Sequence, residues 1–179
     1  DCQYYIAYSQ YRMEELEKQP LRKCYIDIEV KDDNGFPAAE VAREPVISIV
    51  VEDSFLKKKF CFAWRQDFKE GRREYNFDGM KVATFLFDNE KKMLDLFLKF
   101  MEDTDPDLIV GWNVMNFDMR YLVNRLNNLN MNYNRLSPFK RVKADKYGVE
   151  TKGRVIFDLL TAYIIYNFKD EESFTLDFI

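Results

Sequence analysis

Residues 24–30 read Cys24-Tyr25-Ile26-Asp27-Ile28-Glu29-Val30, an apolar run with two acids set into it at alternate positions. Side chains alternate across a strand, so Ile26, Ile28 and Val30 point into a core while Asp27 and Glu29 share the opposite face. Neighbouring carboxylates on a half-buried strand repel each other unless one is protonated or a cation bridges them; otherwise both stand in water at a rim. Aspartate is disfavoured in strands and the rest of this one is apolar, which weighs against the rim reading.

Outward from this strand the pattern continues. Residues 1–23 are polar and irregular, with a short helical pattern over 13–18 that Pro20 ends. Asp32-Asp33-Asn34-Gly35 is a turn signal. Residues 45–52 carry the unbroken apolar run Val46-Ile47-Ser48-Ile49-Val50-Val51, as in a central strand buried on both faces. Residues 59–64 alternate Phe60, Phe62 and Trp64 with smaller side chains, so the three strands form an antiparallel meander.

After Asp88, the apolar positions Met93, Leu96, Phe97, Phe100 and Met101 form one helical stripe, with Asp88 as N-cap and Asp105-Pro106 as the stop. Leu108-Ile109-Val110-Gly111 is a short buried strand. A helix then carries Phe117, Tyr121, Leu122, Leu126 and Leu129 on one side. Residues 130–152 are polar and basic, a long loop or a hairpin around Tyr147-Gly148. Residues 154–157 read as a strand, 159–166 as a helix, and Ser173-Phe174-Thr175-Leu176 as the opening of another helix. Three strands followed by alternating helices and strands give an α/β mixed sheet with helices on its faces. The order fits a ribonuclease-H-like fold, and periodicity alone also fits other α/β sandwiches.

Composition narrows the chemistry. The 179 residues are 47% hydrophobic and 32% charged, which is the balance of a packed domain. A net charge of −4 argues against gripping nucleic acid by a basic surface alone. The three cysteines form no Cys-x-x-Cys pair, as in a reducing, intracellular setting, and no apolar run reaches membrane-span length. Histidine is absent, which removes His-based triads and ordinary catalytic zinc sites within these residues. Any catalysis falls to carboxylates, with hard cations such as Mg²⁺ or Mn²⁺.

A second constellation runs Asp105-Pro106-Asp107-Leu108-Ile109-Val110-Gly111-Trp112-Asn113, then Val114-Met115-Asn116-Phe117-Asp118-Met119-Arg120-Tyr121-Leu122. It sets Asn113 just past a buried strand and Asp118 in the first turn of the next helix. That is the crevice beyond strand ends where open α/β sheets bind ligands. Taken alone, Asp118 also reads as an acid complementing a helix dipole.

Together, Asp27-Ile28-Glu29, Gly111-Trp112-Asn113 and Phe117-Asp118 with Tyr121-Leu122 resemble the first two exonuclease motifs of family B DNA polymerases. The Val46–Ile49 strand, the Asp105-Pro106-Asp107 lead-in, Gly153-Arg154 before a strand ending in Asp158, and Ser173-Phe174-Thr175-Leu176-Asp177 follow in family order.

The resemblance implies a 3′→5′ proofreading exonuclease of the DEDD superfamily. It would hydrolyse the terminal phosphodiester with two Mg²⁺ or Mn²⁺ ions per site, held by Asp27, Glu29 and Asp118. Asn113 and Phe117 would shape the pocket for the terminal nucleotides. Phe36 would stack on an unpaired base, or else tuck against the sheet edge. The implied partners are a single-stranded 3′ end, primer–template DNA and the remaining polymerase domains, with no membrane. The basic stretch 140–146 lies where the family often has a hairpin near the primer–template junction, and a solvated loop suits it equally. Asp158 and Asp177 read as structural, capping or turn-forming acids.

On this reading, residues 1–23 are a leader belonging to the polymerase N-terminal region and 24–179 are the exonuclease domain. The family's third motif, a Tyr followed four residues later by an Asp, has no counterpart before Ile179. The segment alone is therefore expected to be a weak exonuclease. The competing readings are a non-catalytic nucleic-acid-binding domain of the same fold and a free-standing exonuclease of the superfamily.

Overall fold

In the computed structural model, residues 20–32, 35, 37–167 and 174–175 are described. Strands β1 (Lys23–Val30), β2 (Val46–Asp53) and β3 (Lys58–Trp64) pair antiparallel in sequence order, the expected meander. Two further strands, β4 (Gly71–Phe77) and β5 (Met80–Phe87), form a hairpin whose second strand runs parallel to β3. Helix α1 (Glu90–Thr104) leads to β6 (Leu108–Gly111), which lies parallel to β1; α2 (Asp118–Asn128) follows. A 3₁₀ turn (Tyr133–Leu136) and the hairpin β7 (Val142–Asp145)–β8 (Gly148–Thr151) precede β9 (Val155–Asp158), parallel to β6, and α3 (Leu159–Tyr166). The result is a seven-stranded mixed sheet in the order β4-β5-β3-β2-β1-β6-β9.

One face of the sheet carries the core. Ile26, Ile28, Ile49, Val51 and Phe62 meet the buried stripes of α1 (Met93, Leu94, Phe97, Leu98, Met101) and α2 (Met119, Tyr121, Leu122, Val123, Leu126). Phe62 packs edge-on against Phe97 and Phe100 with centroids at 5.9 and 5.6 Å, a favoured aromatic geometry. The charged link across this layer is Glu90, at the start of α1. Its carboxylate takes the Arg125 guanidinium of α2 at 2.8 and 2.6 Å and the Val46 N–H of β2 at 2.9 Å.

The structure corrects two expectations. β2 is not buried on both faces: Ile47 and Val50 keep 39% and 37% of their surface, and from Ile49 onward buried and more open positions alternate, after a register irregularity beside Val46. The N-cap of α1 is Asn89 rather than Asp88. The Asn89 Oδ1 accepts the N–H groups of Lys91 and Lys92, whereas Asp88 pairs with the Lys92 ammonium at 3.1 Å. At the other end, Asp105 adopts φ 42° and donates its N–H to Met101, the stop expected before Pro106.

The turn after β1 closes with Gly35 (φ 96°) donating to the Asp32 carbonyl at 3.0 Å. Residues 140–152 take the hairpin form. The helical pattern over 13–18, the positions Asp33, Asn34 and Phe36, and the segment 173–179 apart from Phe174 and Thr175 lie outside the described residues.

Candidate active site

The site begins where a ladder stops. β1 and β6 pair only from Lys23↔Leu108 to Tyr25↔Val110, and β6 ends at Gly111. Gly111 is needed for this approach, because a Cβ there would sit 2.8 Å from the Ile26 carbonyl oxygen and 2.9 Å from the Val114 Cβ. Beyond Gly111 the edge of β1 has no strand to accept its next N–H. Asp118 takes that role: its Oδ1 accepts the Ile28 N–H at 3.1 Å. The buried face of β1 therefore holds Ile26 and Ile28, its exposed face holds Asp27 and Glu29, and Asp118 sits at the strand's edge on the N–H of Ile28, the residue between those two acids.

Asp118 is the first residue of α2 and is only 3% exposed. Burial pushes its carboxyl up to about 7, and the charge of Asp27 adds to the rise, as does that of Asp158 to a smaller extent; its bonds to its own N–H and that of Ile28 pull the other way. Asp27 keeps surface open to solvent, yet the wall of protein beside it raises its carboxyl as well. Glu29 lies two residues along on the face of Asp27, opposite Ser48 of β2. Among the described residues, no three His, Cys, Asp or Glu side chains are gathered closely enough to hold a metal ion. The donor chemistry nonetheless suits a hard cation: oxygen ligands only, with a buried carboxylate whose ionisation is opposed by burial and by a like charge.

The connection from β6 to α2 is tightly wound. Asn113 adopts φ 54°, and its carbonyl accepts the N–H groups of Asn116 at 3.2 Å and Phe117 at 2.9 Å. The half-buried Phe117 ring lies 5.9 Å from Tyr121, whose hydroxyl donates to the Glu44 carbonyl at 2.7 Å. Beside Tyr121 is a pocket of about 410 Å³, walled by Gly35, Pro37, Ala38, Val41 and Arg43. The structure thus brings Asp118 to β1 and places Asn113 and Phe117 in the loop that delivers it.

Asp158 does cap a helix, since its Oδ1 accepts the Thr161 N–H of α3 at 3.1 Å, but it also reaches the site. Its Oδ2 accepts the Met115 N–H, in the same connection, at 3.0 Å. This second bond spans 43 residues, and no local pattern announces it. In the basic stretch Lys140 pairs with Glu102 of α1 and Lys143 with Asp145, and beyond it Lys152 pairs with Glu150. Glu102, pinned by Arg135 and Lys140, is held down to about 2.

A mixed sheet of this order, with acids on its first strand and at the head of the helix beside it, defines an α/β domain of ribonuclease-H-like architecture. A model of the exonuclease domain of DNA polymerase family B matches residues 1–177, and the chain belongs to that family. The DNA-directed DNA polymerase of Escherichia phage RB69 is 27% identical over 186 aligned residues, which take in 89% of this chain and 21% of that polymerase. The DNA polymerase delta catalytic subunit of Schizosaccharomyces pombe is 34% identical over 118 residues, 62% of this chain and 10% of the subunit. The DNA-directed DNA polymerase of Enterobacteria phage T4 is 32% identical over 107 residues, 54% of this chain and 12% of that protein. The chain therefore spans about a fifth or less of the length of these relatives. Among the described residues, no helix is long and apolar enough to cross a membrane.

Proposed function

We propose that this chain removes nucleotides from the 3′ end of single-stranded DNA by hydrolysis, as the proofreading domain of an intracellular DNA polymerase. Its partners on this reading are primer–template DNA and the other domains of that polymerase. The observation that carries the proposal is the seat of Asp118, buried against β1 on the Ile28 N–H and close enough to Asp27 to feel its charge.

Asp27, Glu29 and Asp118 are the residues that would hold two Mg²⁺ or Mn²⁺ ions. Bound there, such ions supply a nucleophile at neutral pH and stabilise the charge on the leaving oxygen. The chain's own residues do the rest. The Ile28 N–H fixes one Asp118 oxygen at the edge of β1. Asn113 and Phe117, set by the wound connection before α2, border the path of the terminal nucleotides, and Phe36 is placed by sequence in the turn after β1. Aromatic stacking on bases is sequence-tolerant, as the removal of any mismatched end requires.

The test is stepwise shortening of single-stranded DNA carrying a 5′ label, in Mg²⁺ and then in Mn²⁺. Shortening by the polypeptide that carries this chain, lost in Asp27→Ala and in Asp118→Ala, is the expected result. DNA binding without any shortening would favour a non-catalytic nucleic-acid-binding domain.

A further inference from the structure

Two segments leave the sheet side by side beyond its β6–β9 edge. β6 ends at Gly111 and β9 at Asp158, which are direct partners in the parallel ladder. From Gly111 the chain winds through residues 112–117 to Asp118; from Asp158 it enters α3 at once. The Asp158 side chain is 6% exposed and reaches both segments: Oδ2 accepts the Met115 N–H at 3.0 Å, and Oδ1 accepts the Thr161 N–H at 3.1 Å. Each oxygen thus accepts a backbone N–H, one from each segment, so the carboxylate bridges the two.

Other bonds within the connection are short-range. The Asn113 carbonyl serves Asn116 and Phe117, and the Val114 carbonyl serves Met119. These bonds shape the coil but leave its position relative to the sheet open. That position is set by the packing of Gly111 against β1, by the seating of Val114, Met115 and Phe117 on the core, by Trp112, whose ring lies 5.8 Å from Tyr163 of α3, and by the Asp158–Met115 bond. The Asp158 bond is the one among these that ties the connection to β9 and the start of α3 through a directional hydrogen bond.

We propose that Asp158 is a positioning residue for hydrolysis: its carboxylate ties the 112–117 connection to β9 and α3 and so holds Asp118 on the Ile28 N–H. The inference rests on the hydrolytic reading of the site given above. Loss of the carboxylate frees the Met115 N–H, lets the connection shift, and loosens the Asp118 oxygen from β1. A displacement of about 1 Å at a catalytic group is enough to cost on the order of a hundredfold in rate.

The experiment uses the longest polypeptide that carries this sequence, with Asp158→Ala and with Asp158→Asn. The Asn variant keeps the size of the side chain and one acceptor oxygen, and it serves if the Ala variant does not fold. Amide hydrogen exchange is first measured in metal-free protein. Exchange at least tenfold faster at Met115 and at Ile28, with Ile49 in the neighbouring strand unchanged, is the expected outcome. Steady-state shortening of labelled single-stranded DNA follows, with kcat falling at least tenfold and KM moving less than threefold. Unchanged exchange at Ile28, or faster exchange with kcat intact, overturns the proposal. Asp118→Ala is run alongside. If that variant retains full activity, the hydrolytic reading itself fails, whereas an inactive Asp118→Ala beside a fully active Asp158→Ala sinks only the positioning role.

Discussion

Replacing Asp118 by Asn should stabilise metal-free protein modestly at pH 5, by about 1.6 kcal/mol, and markedly at pH 8. The Asn oxygen can still accept the Ile28 N–H, so the bond at 3.1 Å is kept while the charge is removed. The carboxyl is raised from 3.8 to about 7, first by burial and then by Asp27. An acid whose folded value lies above its unfolded one holds its proton more tightly when folded. Between those two values the native state binds more protons than the unfolded state, so stability falls as pH rises through the window and levels off above it. A shift of this size at about 1.36 kcal/mol per pH unit amounts to about 4 kcal/mol. Spread over a domain of this length, that is about 8–16 °C in Tm. The assay is urea unfolding in a chelator at half-unit steps from pH 4.5 to 8.5, for wild type and Asp118→Asn. Taking the difference between the two proteins cancels groups that titrate alike in both. The variant's advantage should grow steadily to about pH 7 and then stay flat. Added Mg²⁺ at pH 8 should narrow the gap by stabilising the wild type alone, because a ligand stabilises the state that binds it. A difference that does not change with pH would falsify the burial of an ionisable Asp118 beside Asp27.

Two other substitutions test the scaffold that carries the site. Gly111→Ala places a methyl 2.8 Å from the Ile26 carbonyl oxygen and 2.9 Å from the Val114 Cβ, so β6 must move away from β1. Overpacking of this kind costs about 1–3 kcal/mol, read as a lower urea midpoint with an unchanged slope; a midpoint equal to wild type would show that the strands separate freely. Glu90→Gln leaves the Arg125 guanidinium, 13% exposed, without its counter-charge, although the Ala42 and Arg43 carbonyls still accept from it. The expected loss is about 3 kcal/mol, and calorimetry should show Tm lower by about 6–12 °C; a loss below about 1 kcal/mol would mean that water reaches Arg125.

Local alternation made β1 readable, and with it the shared face of Asp27 and Glu29, because one buried face imposes a period of two on the sequence. The same rule misleads for β2, where an unbroken apolar run does not require burial on both sides. Residues 65–88 suggested no element, yet they hold the β4–β5 hairpin. Every residue of β4 is exposed, so no alternation marks it, and the available signal was the Asp78-Gly79 turn with φ of 48° and 75°. Asp118 could be named as a site residue from its place after a buried strand, but its partner could not. The Ile28 N–H lies 90 residues away, and only the parallel pairing of β1 with β6 brings the two together. Asp158 was readable as a helix cap for the same reason that its second bond was not: capping is local, and the reach to Met115 depends on the β6–β9 register.

The buried acids of this chain divide by what neutralises them. Asp53 is wholly buried and meets Arg22 at 2.8 Å, with the N–H groups of Phe55 and Leu56 on its other oxygen. Glu90 meets Arg125 at 2.6 Å. Each supplies its own counter-charge within the fold, as a structural acid must if it is to stay ionised in a low-dielectric setting. Asp118 is buried nearly as deeply, but among the described residues its partners are backbone N–H groups, and the charges that bear on it, from Asp27 and Asp158, are negative. If its only duty were to accept the Ile28 N–H, asparagine would do so without the cost of a buried like-charge contact. Aspartate at this position lacks the cationic partner that Asp53 and Glu90 each have. Such a departure is expected where function, rather than folding, sets the residue. The missing counter-charge at Asp118 is what a bound cation would provide.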